Sequence, residues 1–196
     1  MNCEEALLRL RAGNERFVLG QPIHPHEGQG WRRHLLHGCS PIATVLGCSH
    51  PSVAPELVFD QGLGDLIVVR IAGNVVTPEV MDSMQFAGTH MGTRLHVVLG
   101  HADCPTVAAA LEEQAGRARQ PSRIEAVLRH ILPGLKAVQR ANTHTAQLAA
   151  AVEANVRWSV QQLSAVPEAR KLLEQRELKV VGAIYEPNTG AVRFLD

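Results

Sequence analysis

The sequence predicts a single α/β domain with a central, mostly parallel β-sheet flanked by helices, and three observations carry that reading. Four short, β-branched apolar runs, at 42–46, 66–69, 95–99 and 178–184, have the composition of strands buried on both faces. Helical stretches lie between them, and strands alternating with helices imply a parallel sheet with right-handed crossovers. The composition, 45% hydrophobic and 19% charged over 196 residues, is that of a globular chain long enough for one substantial core and too short for two ordinary ones.

Taken in order, residues 1–37 read as an N-terminal helical arm and 38–196 as the α/β core. Residues 4–18 carry Leu7, Leu10 and Phe17 near helical spacing, with Gly13 as a weak point. The stretch 20–30 holds two prolines and three glycines, which predicts an extended arm. After the first two strands come a helix near 78–91, the third strand, and a helix near 105–117. A long helical block over 121–175 follows, whose Leu128, Ile131, Leu135, Leu148, Val152 and Val156 recur as packing positions do. The segment 185–190, Tyr-Glu-Pro-Asn-Thr-Gly, leads from a strand through a turn into a short returning strand at 191–194. There is no internal repeat.

Lys plus Arg and Asp plus Glu each total 19, so no net charge draws the chain to nucleic acid or to anionic lipid. The N-terminus opens with acids and lacks a signal peptide's basic flank and apolar stretch. No run approaches the roughly 18 apolar residues needed to span a bilayer. A cytoplasmic protein is expected, with Cys3, Cys39, Cys48 and Cys104 as thiols or metal ligands rather than disulfides. His24, His26, His34 and His37 have no acid or cysteine fixed beside them and read as solvated or interfacial. Gly62-Leu-Gly64 reads as a turn, since it lacks a phosphate-binding pattern.

Chemistry gathers beyond the carboxyl ends of strands in such sheets. The first strand runs into Gly47-Cys48-Ser49-His50, and the third into Gly100-His101-Ala102-Asp103-Cys104, just before a helix. If those strands are neighbours, Cys48 meets His101 and Cys104. Two thiolates and an imidazole with one open position suit catalytic zinc. Buried cysteines and a core histidine are the alternative, and spacing alone leaves the two readings evenly matched.

The segments Cys48-Ser-His-Pro-Ser-Val-Ala-Pro-Glu56, Phe59-Asp-Gln-Gly-Leu-Gly-Asp65, Val69-Arg-Ile-Ala-Gly-Asn74 and Val98-Leu-Gly-His-Ala-Asp-Cys104 resemble, in order and spacing, the β-carbonic anhydrases. Leu10-Arg-Ala-Gly-Asn-Glu-Arg-Phe17, Ser83-Met-Gln-Phe-Ala87 and Val181-Gly-Ala-Ile-Tyr-Glu-Pro-Asn-Thr-Gly190 extend the resemblance over nearly the whole chain. It implies zinc on Cys48, His101 and Cys104 and reversible hydration of carbon dioxide to bicarbonate. It also implies a homodimer or larger homo-oligomer, with the N-terminal arm wrapping a partner. Zinc lowers the pKa of its bound water to roughly 7, which makes hydroxide available near neutrality.

Four positions depart from the family pattern. His50 stands where the family has an Asp that orients the nucleophile, and Ser52 where an Arg holds that Asp. Cys39 replaces a glutamine used for substrate hydrogen bonding. Pro105 replaces a glycine and has no N–H to offer the substrate. Cys39, Ser52 and Pro105 are therefore expected to line the substrate pocket. His50 has three readings: an acceptor or proton shuttle beside the metal, a fourth zinc ligand, or a space-filling side chain. A neutral Cys39 thiol suggests a less polar pocket, and with it a hydrolase of carbonyl sulfide or carbon disulfide as an alternative activity. A non-catalytic homologue with a closed structural zinc site is another. Asp103 is expected to cap the helix after it, and Arg70 and Asp65 to form an ion pair.

Overall fold

Each of the four apolar runs becomes a strand of one sheet in the computed structural model, which describes residues 1–139 and 141–195. They are β1 (Ala43–Gly47), β2 (Leu66–Arg70), β3 (Leu95–His101) and β4 (Lys179–Tyr185), all parallel. β5 (Val192–Leu195) returns antiparallel along β4, as the turn at 185–190 predicts. The spatial order is β2-β1-β3-β4-β5, so β1 and β3 are neighbours near the middle. β3 is buried at all seven positions, which explains why its sequence is a continuous apolar run rather than an alternating one.

Alternate strand residues feed two cores. Val45, Val97 and Leu99 face α1 (Cys3–Val18), while Leu46 and Val98 face α4 (Pro78–His90), α5 (Pro105–Gln114), α6 (Ser122–Leu135) and α7 (His144–Ala165). Fully burying each such side chain contributes about 1.5–3 kcal/mol. α2 (Gln29–His34), α3 (Pro55–Val58) and α8 (Pro167–Glu174) complete the helices.

Helix α1 begins at a reciprocal cap, with the Glu5 N–H donating to Asn2 Oδ1 (2.9 Å) and the Asn2 N–H to Glu5 Oε2 (3.0 Å). Gly13, weak as a helix former, is what lets this helix reach the sheet layer: a Cβ there would lie 1.8 Å from the Phe59 carbonyl oxygen. The arm after α1 runs without helix or strand as far as Gly28, close to the expected extended stretch. It turns helical at Gln29, and it is tied to its own chain by the buried Asp60 carboxylate. That carboxylate accepts from the Ile23 and His24 N–H groups and pairs with Arg16.

The predicted 121–175 block is three helices, α6, α7 and α8. The physical reason at the last break is Pro167, at the first helical position of α8, which drives Val166 out of helical geometry (φ −62°, ψ 132°). Arg140, inside the predicted block, lies outside the described residues. Among the described residues no helix is long and apolar enough to cross a membrane.

Candidate metal centre

Sheet order decides where the chemistry gathers. β2 lies on one side of β1 and β3 on the other, so the strand order reverses between β1 and β3 and leaves a crevice at their carboxyl edge. Cys48 follows directly on β1, His101 is the last residue of β3, and Cys104 is the residue that caps α5. The ligand atoms of these three residues lie within 4.8 Å of one another. All three side chains are buried.

The trio's internal chemistry is that of a metal site. His101 Nδ1 donates to the Ala102 carbonyl (2.9 Å), which leaves Nε2 as the lone-pair nitrogen. Nε2 is buried and has no hydrogen-bond partner among the described residues. An orphaned buried nitrogen costs about 1–3 kcal/mol, a cost that a metal ion removes. Cys48 Sγ accepts from the N–H groups of His50 and Gly73, each at 3.4 Å. The hydrogen bond from Cys104 holds the Cys48 thiol far below its usual value; burial opposes this, and His101, His50 and Gly73 reinforce it. Cys104 is pushed up by that same hydrogen bond to Cys48, by burial and by the neighbouring charge, against the pull of the Val107 and Thr106 N–H groups. Two neighbouring sulfurs beside a bare imidazole nitrogen are a donor set that fits zinc.

The Gly73 N–H reaches Cys48 because the 3-10 turn Ala72–Asn74 places Gly73 at φ +67°, a left-handed conformation that glycine adopts at little cost. Buried Asn155 and Ser159 of α7 hold that turn, Asn155 Nδ2 donating to the Gly73 carbonyl (2.8 Å) and Ser159 Oγ to that of Asn74 (3.1 Å). The sequence reading had missed both residues. They sit mid-helix among apolar residues, and only their burial signals a role.

His50 lies beside the trio rather than in it. Its ring stacks on that of His101, with centroids 5.0 Å apart. The Ser52 backbone N–H (3.3 Å) and Oγ (2.7 Å) both contact His50 Nδ1. A backbone N–H can only donate, so Nδ1 is the acceptor and the neutral ring carries its proton on Nε2. Arg70 donates to the Cys48 (3.1 Å) and His50 (2.8 Å) carbonyls, bracing the loop.

Three expectations are corrected here. Arg70 does not pair with Asp65, which instead pairs with Arg9 (2.9 Å) and His26 (2.8 Å), because Asp65 precedes β2 and Arg70 ends it. His26 therefore does have a fixed acid beside it. Asp103 does not cap α5: it takes a left-handed turn (φ +54°), and Cys104 holds the cap position. Of the expected pocket residues, Pro105 follows Cys104 as the first residue of α5, and Ser52 contacts His50. Cys39 is exposed and packs near Gly64, at the amino end of the strands. It is thus a strand's length from Cys48, and one chain does not bring it to the trio.

Fold and site together define a class: an α/β protein whose two thiols and one imidazole form a buried group that could hold a metal ion. Comparison with known proteins then identifies the family. Residues 43–192 match the family model described as carbonic anhydrase. The chain is 31% identical over 166 residues to a carbonic anhydrase of Pseudomonas aeruginosa, a match spanning 80% of this chain and 74% of that one. It is 48% identical over 102 residues to carbonic anhydrase 2 of Mycobacterium tuberculosis, covering 52% of this chain. That match spans about half of the mycobacterial protein's length (49%). Among solved structures, the β-carbonic anhydrase CcaA superposes with a TM-score of 0.78 at 24% identity, over 98% of this chain and 88% of that one. A pair of tetrameric β-carbonic anhydrases from Sordaria macrospora gives 0.77 at 20% identity, over 98% and 97%. The chain belongs to the β-carbonic anhydrase family.

Proposed function

We propose that this chain is a zinc-dependent lyase of the carbonic-anhydrase type that interconverts carbon dioxide and bicarbonate, with altered surroundings at the metal. The observation that supports it is the convergence of buried Cys48, His101 and Cys104 with the His101 Nε2 lone pair free. Zinc held there supplies Lewis acidity that makes a hydroxide nucleophile available near neutral pH. The chain's own residues do the rest. Ala102 fixes the His101 tautomer, the Gly73 and His50 N–H groups hold the Cys48 sulfur, and Arg70 braces the loop between Cys48 and His50. His50, with Nδ1 committed to Ser52, offers an Nε2–H donor where the family offers a carboxylate acceptor. Replacing an orienting acceptor by a donor costs on the order of 10²–10³ in rate, so slow turnover is the expectation.

A second reading rests on the same ring. Stacked against His101, His50 is the residue that would close a fourth metal position once freed from Ser52, and zinc held so would be structural. Assembly as a homodimer or larger is supported by edge strand β2, whose apolar residues at 66–69 stay partly exposed. Stopped-flow carbon dioxide hydration, with wild type and His50→Ala at matched zinc content, separates the readings. Wild-type turnover above buffer supports the lyase, and turnover that appears only in His50→Ala supports a fourth position closed by that ring. Buffer-level rates in both would sink the lyase and leave the structural zinc.

A further inference from the structure

At the end of the sheet away from the metal centre, a cavity of about 310 Å³ lies between α4, the α7–α8 corner and the start of β3. His96 and His101 are both on β3, five residues apart, which separates the two sites by about 16 Å at the strand rise. Met84, Leu163, Val166, Leu172 and Leu178 give the cavity an apolar wall. His96 lies in it only 7% exposed, and its Nε2 is buried with no hydrogen-bond partner among the described residues. Gly88 of α4 is the near neighbour of that nitrogen, and it offers no side chain. Thr93, also in the lining, spends its hydroxyl on Thr44 (2.7 Å). Arg94 is half-buried in the lining and makes no ion pair among the described residues. Glu168 is the one carboxylate of the lining and stays exposed to water.

The chain thus keeps a polar ring atom and a cation without internal partners next to a large apolar wall. Leaving that ring atom unpaired costs about 1–3 kcal/mol, which folding does not recover within the chain. The volume falls within the range of small-molecule sites, and a few convergent polar groups on an apolar wall are their usual make-up. We infer that this cavity binds an aliphatic monocarboxylate, its tail against Met84, Leu163 and Leu172 and its carboxylate taking hydrogen bonds from His96 and Arg94. This site stands independently of what the metal centre catalyses.

The test is calorimetric titration of the zinc-loaded protein with octanoate, beside 1-octanol as the uncharged control. Saturable binding is expected, at least tenfold weaker for octanol and at least tenfold weaker for octanoate in Arg94→Gln and His96→Phe. Ala169→Trp fills the cavity from α8, which contributes no buried residue, so the fold survives and octanoate binding is lost. Unchanged zinc content and circular dichroism establish that each variant is folded. No saturable binding to wild type overturns the inference. So does binding that survives Ala169→Trp and Arg94→Gln, since that carboxylate would be sitting at the metal end.

Discussion

Asn155 carries no motif, yet it stands one step removed from a metal ligand. Its amide holds the Gly73 carbonyl, and the Gly73 N–H holds the Cys48 sulfur. Asn155→Leu keeps the shape and leaves that buried carbonyl unpaired, which costs about 1–3 kcal/mol in urea denaturation. Groups that orient a metal ligand also set its affinity, so zinc retention against a chelator is expected to fall about 10–100-fold. Unchanged zinc affinity with lowered stability would show the turn to be scaffold only. The same scale explains what was legible at the centre. Cys48, His101 and Cys104 could be picked out because thiols and imidazoles at strand ends are rare enough to notice. The tautomer of His50 could not, because it depends on where the Ser52 N–H points, and a backbone direction has no residue code.

At the scale of elements, α1 shows a propensity rule overruled by packing. Alanine in place of Gly13 gains about 1 kcal/mol of helix propensity. Its Cβ would meet the Phe59 carbonyl at 1.8 Å, and backbone overpacking costs about 1–3 kcal/mol or more. The clash wins. Gly13→Ala is expected to destabilise by about 1–2 kcal/mol in chemical denaturation, and a raised Tm would refute the close packing of α1 on this layer. The helix boundaries follow a similar logic. Pro167 is visible in the sequence and ends α7 by a local steric rule. The 121–175 stretch reads as one helical block in the sequence, and only the structure shows the chain turning a corner at Pro167.

Over the whole molecule, the two ends of the sheet respond to pH through different groups. Burial holds His96 down to about 4 from its ordinary 6.5. Below about pH 6.5 the unfolded chain takes up a proton that folded His96 refuses, until the pH approaches 4. Stability from this group is therefore full above pH 6.5 and declines as pH falls toward 4, by up to about 3 kcal/mol. Arg94 and Glu168 are the charged groups that share the cavity with His96. Urea denaturation at pH 7 and pH 4.5, with zinc content matched, is expected to show a smaller acid loss in His96→Phe than in wild type. Equal losses would place the acid sensitivity elsewhere.

Residue chemistry along the chain was enough to determine the α/β class and the order of its strands and helices, and to nominate donor atoms for a metal that the family resemblance then singled out. Strand burial, turn residues and ligand types are local properties, and they survive in one dimension. Tertiary structure alone decided that Asp65 pairs with Arg9, that Cys39 sits a strand away from the trio, and that His96 faces a cavity. Each of those depends on which segments, distant in sequence, the packing of helices on the sheet brings side by side.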